Sequence, residues 1–186
     1  MFIQTEDTPN PATMKFLPGR EVLGARSPVD IADPTKAAQS PLAEALFALD
    51  GVKGVFLGSD FITVTRESGR DWPALKPAIL SVIMDHFVAG RPVLAEGVLP
   101  EPSAAVGGEH DEIERQIREI LDAKIRPAVA QDGGDITFQR FEDGIVYLHL
   151  KGSCAGCPSS SATLKAGVEN MLRHYVPEVK EVRQVR

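Results

Sequence analysis

Cysteine is scarce in this chain, with two among 186 residues. Two thiols cannot build the disulfide framework of a small secreted protein. Both sit in one C-x-x-C, Cys154 and Cys157, where a bridge would close a loop of negligible entropic value. Aromatic residues are also few, 6% of the chain with a single Trp, which argues against a stacking platform for nucleic-acid bases. Positive charge is not in excess: 20 basic residues face 26 acidic ones, for a net charge of −6. No broad cationic surface is then available for nucleic acid or an anionic membrane. Apolar runs stay well short of the roughly 20 residues that span a bilayer. The opening Met1-Phe2-Ile3-Gln4-Thr5-Glu6 has no basic segment followed by an apolar one, and no Arg/Ser-rich amphipathic presequence. The expectation is a cytoplasmic protein of bacterial type, or a mitochondrial-matrix protein whose presequence has been removed. What the chain does have is a normal globular composition, 43% hydrophobic and 25% charged, able to bury a core.

Composition breaks once. Residues 95–109, AEGVLPEPSAAVGGE, hold two prolines, three glycines and three glutamates with no helical or strand period. Such a stretch reads as a linker, stiff around Pro100 and Pro102 and flexible at Gly107-Gly108. The expected organisation is therefore α+β, with two small domains at 1–94 and 110–186, each a short β-sheet packed with two helices. In the first, strands are expected at Phe2–Glu6, Met14–Leu17, Val52–Leu57 and Phe61–Arg66. Helices are expected over Pro41–Leu49 and from Trp72 to about Ala89, with Leu42/Leu46/Leu49 and Leu75/Ile79/Ile83/Phe87 as core stripes. This half contains no cysteine, no phosphate-cradling glycine loop and no arrangement of nucleophile, base and orienter. Asn10, between Pro9 and Pro11, reads as part of a rigid turn.

The second domain reads in the order α-β-β-α-β. Ile113, Ile117, Ile120 and Leu121 give one apolar helical face, and Pro127 is expected to end or kink that helix. Asp132-Gly133-Gly134-Asp135 is a turn whose glycines supply positive φ. Ile136, Phe138 and Arg140 alternate with Thr137, Gln139 and Phe141 as a strand, Asp143-Gly144 is a two-residue hairpin turn, and Ile145–Leu150 is the returning strand. After the cysteines, Leu164, Val168, Met171, Leu172 and Tyr175 mark a helix that Pro177 stops. Val179, Val182 and Val185 suggest a last strand.

The cysteine pair is the main chemical signal. Two intervening residues let both sulfurs reach one metal centre from a single turn. The pair leaves a strand and enters a helix whose first position suits Pro158, so Cys157 would sit near free helix N–H groups that favour a thiolate. Ligand count decides more. A tetrahedral zinc or a four-iron cluster takes four ligands, and one chain supplies two. The rest must come from a second chain, a partner or a small thiol. A shared site of that kind is exposed and easily released, which suits a carrier. A thioredoxin-like dithiol and a shared zinc remain open on the residues alone. His149 reads as a half-exposed structural histidine. Lys151 and Lys165 read as solvated lysines that could offset cluster charge.

The segment RPAVAQDGGDITFQRFEDGIVYLHLKGSCAGCPSSSATLKAGVENML resembles the C-terminal domain of NifU-like (Nfu-type) iron–sulfur scaffold proteins, and FIQTEDTPNPATMKFLPG resembles the N-terminal domain paired with it. DGGD, GxCxGCPSS and TPNP carry the resemblance, which extends over nearly the whole chain except the linker. It implies Cys154 and Cys157 as metal ligands and cluster-binding residues. It also implies a [4Fe–4S] cluster bridging two subunits of a homodimer, with [2Fe–2S] as a transient form. The function implied is iron–sulfur cluster assembly: transfer to apo-proteins, with upstream assembly factors as further partners, no nucleic acid, no membrane and no enzymatic turnover. The N-terminal domain, lacking ligands, is expected to dock partners.

Overall fold

The computed structural model describes residues 1–98, 111–155 and 158–185. The chain divides into two compact units, Met1–Pro100 and Glu101–Arg186. Both combine helices with a sheet, so the class is α+β.

The first unit contains β1 (Gln4–Asp7), β2 (Thr13–Leu17), β3 (Val29–Ile31), a 3₁₀ turn (Pro34–Gln39), α1 (Pro41–Phe47), β4 (Val52–Leu57), β5 (Ile62–Arg66) and α2 (Trp72–Val88). Its sheet runs β1-β2-β5-β4-β3, antiparallel throughout. Ser40 starts α1 by accepting the Ala43 N–H on its Oγ at 3.1 Å, with Pro41 in the first helical position. Leu42, Leu46, Leu75, Ile79 and Ile83 are buried as their helical spacing requires, whereas α1 ends at Phe47, two residues before Leu49. The short β3 and the 3₁₀ turn have no counterpart in the hydrophobic pattern. Three residues after a proline are too few to display a period, and pairing with β4 is what makes Val29–Ile31 a strand. Asn10 is buried in its turn. Its Oδ1 accepts the Ala12 N–H at 3.0 Å, its carbonyl accepts the Thr13 N–H at 2.9 Å, and Trp72 Nε1–H donates to the Pro11 carbonyl at 3.1 Å. The rigid turn expected there is present. Ala95, inside the span read as linker, donates its N–H to the Gln39 carbonyl at 2.9 Å. Residues 99–110, the rest of that span and the first residue of the expected second domain, lie outside the described residues.

The second unit opens with α3 (Asp111–Ile120), a π-helical turn (Leu121–Ile125) and α4 (Arg126–Gln131). Of the two outcomes expected at Pro127, an end or a kink, the helix does not end: the disturbance takes the form of a widened turn. The preceding turn widens, with the Arg126 N–H donating to the Leu121 carbonyl five residues back, so the helix passes the proline without the usual carbonyl–ring collision. Ile117, Leu121, Ile125 and Val129, four apart, stay in line and are at most 4% exposed. β6 (Gly134–Glu142) and β7 (Ile145–Gly152) form the expected hairpin around Asp143-Gly144, whose φ values of 52° and 81° are those of a primed turn. A bulge between Phe138 and Arg140 breaks the simple alternation. Beyond it Phe141 joins the core at 8% exposure and Arg140 faces out. α5 (Pro158–Tyr175) carries the chain to β8 (Glu181–Val185), which pairs parallel to β7. Val179 is buried but precedes that strand.

Candidate functional site

Cys154 lies two residues beyond β7, in the turn that leads to α5. Its thiol is free, and the residue is buried at 7% exposure as part of the core cluster formed with Leu150, Ile136 and Val168. Cys157, the second ligand read from the sequence, and Gly156 lie outside the described residues.

What seats Cys154 is the Asp132–Asp135 turn, twenty residues upstream. Gly134 pairs with Gly152 at the end of the β6–β7 ladder. A Cβ on Gly134 would lie 2.6 Å from Cys154 Sγ and 2.7 Å from the Lys151 carbonyl oxygen, so only glycine leaves room for the thiol. Gly133 has a φ of 79°, the positive value expected of this turn. Ser153 fastens the loop from the other side: its N–H donates to the Gly133 carbonyl at 3.2 Å and its Oγ–H to the Asp132 carbonyl. Asp135 is 4% exposed and accepts two bonds from Arg126, Nε to Oδ1 at 2.8 Å and Nη2 to Oδ2 at 3.0 Å. Arg126 also reaches Asp122 at 3.0 Å. The first helix, the start of β6 and the cysteine loop are thereby tied together. The bidentate bond to Asp135 holds the Arg126 guanidinium more firmly protonated than usual.

Burial pushes the Cys154 thiol up to about 11, from an ordinary 9.0. The Ser153 hydroxyl, 4.0 Å from Sγ, opposes this, and the Asp132 and Asp135 charges add to it. The thiolate-favouring position expected from sequence is that of Cys157, outside the described residues, and Cys154 sits in a different environment. Cys154 is held as a neutral thiol, and at neutral pH its ionisation costs about 3 kcal/mol more than that of an ordinary thiol. A metal centre bonding to sulfur must supply that energy.

The other residues singled out from sequence separate from the thiol. His149 lies on the face of β7 opposite Leu148 and Leu150, which point into the core that holds Cys154. It is half-buried, as a structural histidine would be. Lys165 pairs with Glu181 at 4.0 Å, and Lys151 stands opposite Asp135 in the ladder. Among the described residues, no group of three or more His, Cys, Asp or Glu side chains could hold a metal ion. Ser153, Gly134 and the Arg126–Asp135 pair are what the sequence reading missed. The signal was present as the co-occurrence of DGGD with GSC, but contact across twenty residues is not visible in local patterns.

Residues 3–90 match the family model described as "Scaffold protein Nfu/NifU N terminal", and residues 117–183 match "NifU-like domain". The "NFU1 iron-sulfur cluster scaffold homolog, mitochondrial" of Drosophila sechellia is 51% identical over 185 residues, covering 100% of this chain and 65% of that protein. The Homo sapiens protein of the same description is 53% identical over 187 residues, covering 100% of this chain and 72% of that protein. This chain thus spans about 65% of the length of the fruit-fly relative. A solved NifU-like protein from Saccharomyces cerevisiae is 27% identical, with a TM-score of 0.47 over 52% of this chain and 86% of that one.

Proposed function

The chain belongs to the Nfu/NifU family of iron–sulfur cluster scaffolds, and from that premise we propose that it carries a labile [4Fe–4S] cluster between two copies of itself. Cys154 and Cys157 of each copy are the four thiolates, and the cluster is cargo passed to apo-proteins. The observation that carries this reading is one C-x-x-C per chain, with no group of three or more His, Cys, Asp or Glu side chains among the described residues that could complete a metal site. Sulfur donors suit iron–sulfur centres, and four of them need two chains. The same deficit makes the site open to exchange. A client thiol that loses its proton can bond to an iron as a carrier thiolate leaves, and the carrier sulfur takes up a proton as it returns to its neutral, buried state.

In this reading the protein binds and transfers and does not turn over a substrate as an enzyme. Its partners are apo iron–sulfur proteins and the upstream factors that supply clusters, with [2Fe–2S] forms arising on the way. The N-terminal unit, which holds no cysteine, serves as the docking module. Among the described residues no helix is long and apolar enough to cross a membrane. We place the protein in a bacterial cytoplasm or, if a presequence has been removed, in the mitochondrial matrix.

Anaerobic purification with iron, sulfide and zinc analysis and a solution mass tests the proposal. About two irons and two sulfides per chain, on a dimer, is the expected result. If the protein is isolated metal-free, reconstitution with iron and sulfide should give the same stoichiometry. Cys154→Ser and Cys157→Ser should each abolish cluster binding. Zinc at about half an ion per chain that survives reconstitution would overturn the reading, as would cluster retention by both variants.

A further inference from the structure

We infer that Gly134 and Ser153 are positioning residues for cluster loading: together they seat Cys154 against the end of β6 and withhold its sulfur until the loop is drawn outward. The inference rests on the reading of Cys154 as a cluster thiolate. Three observations carry it. A sulfur shared with a second chain has to reach the surface, yet Cys154 is 7% exposed and packed in the core cluster. The space it occupies exists because residue 134 has no Cβ, since one would stand 2.6 Å from Sγ. The loop is fixed in that place by two hydrogen bonds from the single residue Ser153, its N–H to Gly133 O and its Oγ–H to Asp132 O. Ser153 is itself 2% exposed, so its hydroxyl has no water to fall back on if the contact breaks.

The turn that receives these bonds is held independently of the cysteine loop. Asp135 is bound bidentately by Arg126 at 2.8 and 3.0 Å, so the seat belongs to the frame of the unit while the loop docks onto it. Moving Cys154 outward breaks the two Ser153 bonds and leaves the Arg126–Asp135 pair intact. Loading is then a local opening of the loop, with the β6–β7 ladder unchanged. A partner that supplied a cluster without displacing Ser153 would find the Cys154 sulfur withheld.

The test uses the full chain carrying Cys157→Ser, which leaves Cys154 as the single thiol. Iodoacetamide should alkylate it at least about tenfold more slowly in the folded apo-protein than in urea. Ser153→Ala or Gly134→Ala added to this chain should raise the folded-state rate at least about fivefold. Amide exchange at Val146 and Leu148 in the middle of β7 should stay unchanged, which a general loss of structure would not allow. In the two-cysteine chain the same substitutions should speed cluster uptake on reconstitution at least about fivefold, because the bonds that hold the sulfur back are gone. Should Gly134→Ala fail to fold, because its Cβ also meets the Lys151 carbonyl, Ser153→Ala decides alone. Alkylation of the folded parent as fast as in urea, or no change on Ser153→Ala, overturns the inference. A cluster that loads normally on a chain whose Cys154 is freely alkylated would remove the seat and leave the carrier reading standing. Slow alkylation with no cluster bound under any reconstitution would remove the carrier reading, and the loading role with it.

Discussion

Arg126→Ala should be far more damaging than Asp135→Ala, although the two residues form one ion pair. The reason is unequal burial: the Asp135 side chain is 6% exposed and that of Arg126 33%. Removing the guanidinium strands a carboxylate that has lost two hydrogen bonds of 2.8 and 3.0 Å in a site with little access to water. Breaking a buried pair this way costs about 3–5 kcal/mol, and the partial exposure of Arg126 places it near the lower end, at about 3 kcal/mol. Removing the carboxylate leaves Arg126 its bond to Asp122 at 3.0 Å and contact with solvent, so the loss should be about 1–2 kcal/mol. The double variant should resemble Asp135→Ala, because the stranded charge is gone. For a unit of this size, 3 kcal/mol corresponds to a fall in melting temperature of roughly 12–24 °C. The chain offers separate reporters for its two units: the only Trp, Trp72, lies in the first, and both tyrosines, Tyr147 and Tyr175, lie in the second. Thermal melts should show the tyrosine signal moving and the Trp72 signal staying in place. Equal losses for the two single variants, or an Arg126→Ala tyrosine transition within about 4 °C of the parent, would refute the burial argument.

Three further outcomes follow from the same structure. Because the folded Cys154 thiol is raised from 9.0 to about 11, its contribution to apo-protein stability is complete below pH 9. It should be lost as pH climbs through 11, by about 3 kcal/mol, and Cys154→Ala should flatten that part of the stability profile measured in urea without oxygen. His86 has the opposite sign. Burial lowers its pKa below 6.5, its Nε2 lies 3.1 Å from the Pro92 carbonyl, and its Nδ1 has no partner. Its neutral form should stabilise the first unit above pH 6.5, and that stability should fade as pH falls through the lower folded value. His86→Phe should remove the acid-dependent portion of the Trp72 transition; an unchanged acid limb would show that other groups carry it. Asn10→Ala deletes the acceptor of the Ala12 N–H and should cost about 1–2 kcal/mol, read as a lower Trp72 midpoint, since that Trp donates to the neighbouring Pro11 carbonyl.

Sequence by itself determined the features that depend on neighbours within a few residues. The core stripes of α2 and of the helix through Ile117 and Leu121, the Asp143-Gly144 hairpin, the Asn10 turn and the placement of the cysteine pair between a strand and a helix all have short periods or fixed spacings. Those survive folding because the backbone geometry that produces them is local. Tertiary structure decided the rest. Pro127 reads from sequence as an end or a kink, and it is the packing of Leu121, Ile125 and Val129 that makes a widened turn less costly than ending the helix. Phe141 and Arg140 exchange faces because a bulge, set by pairing with β7, intervenes. The reason Gly134 must be glycine is a sulfur twenty residues away. The loop also buries the Cys154 thiol against that glycine, where the loss of water raises its pKa. Contacts of that range, and the solvent they exclude, are fixed only when the sheet and helices close around them.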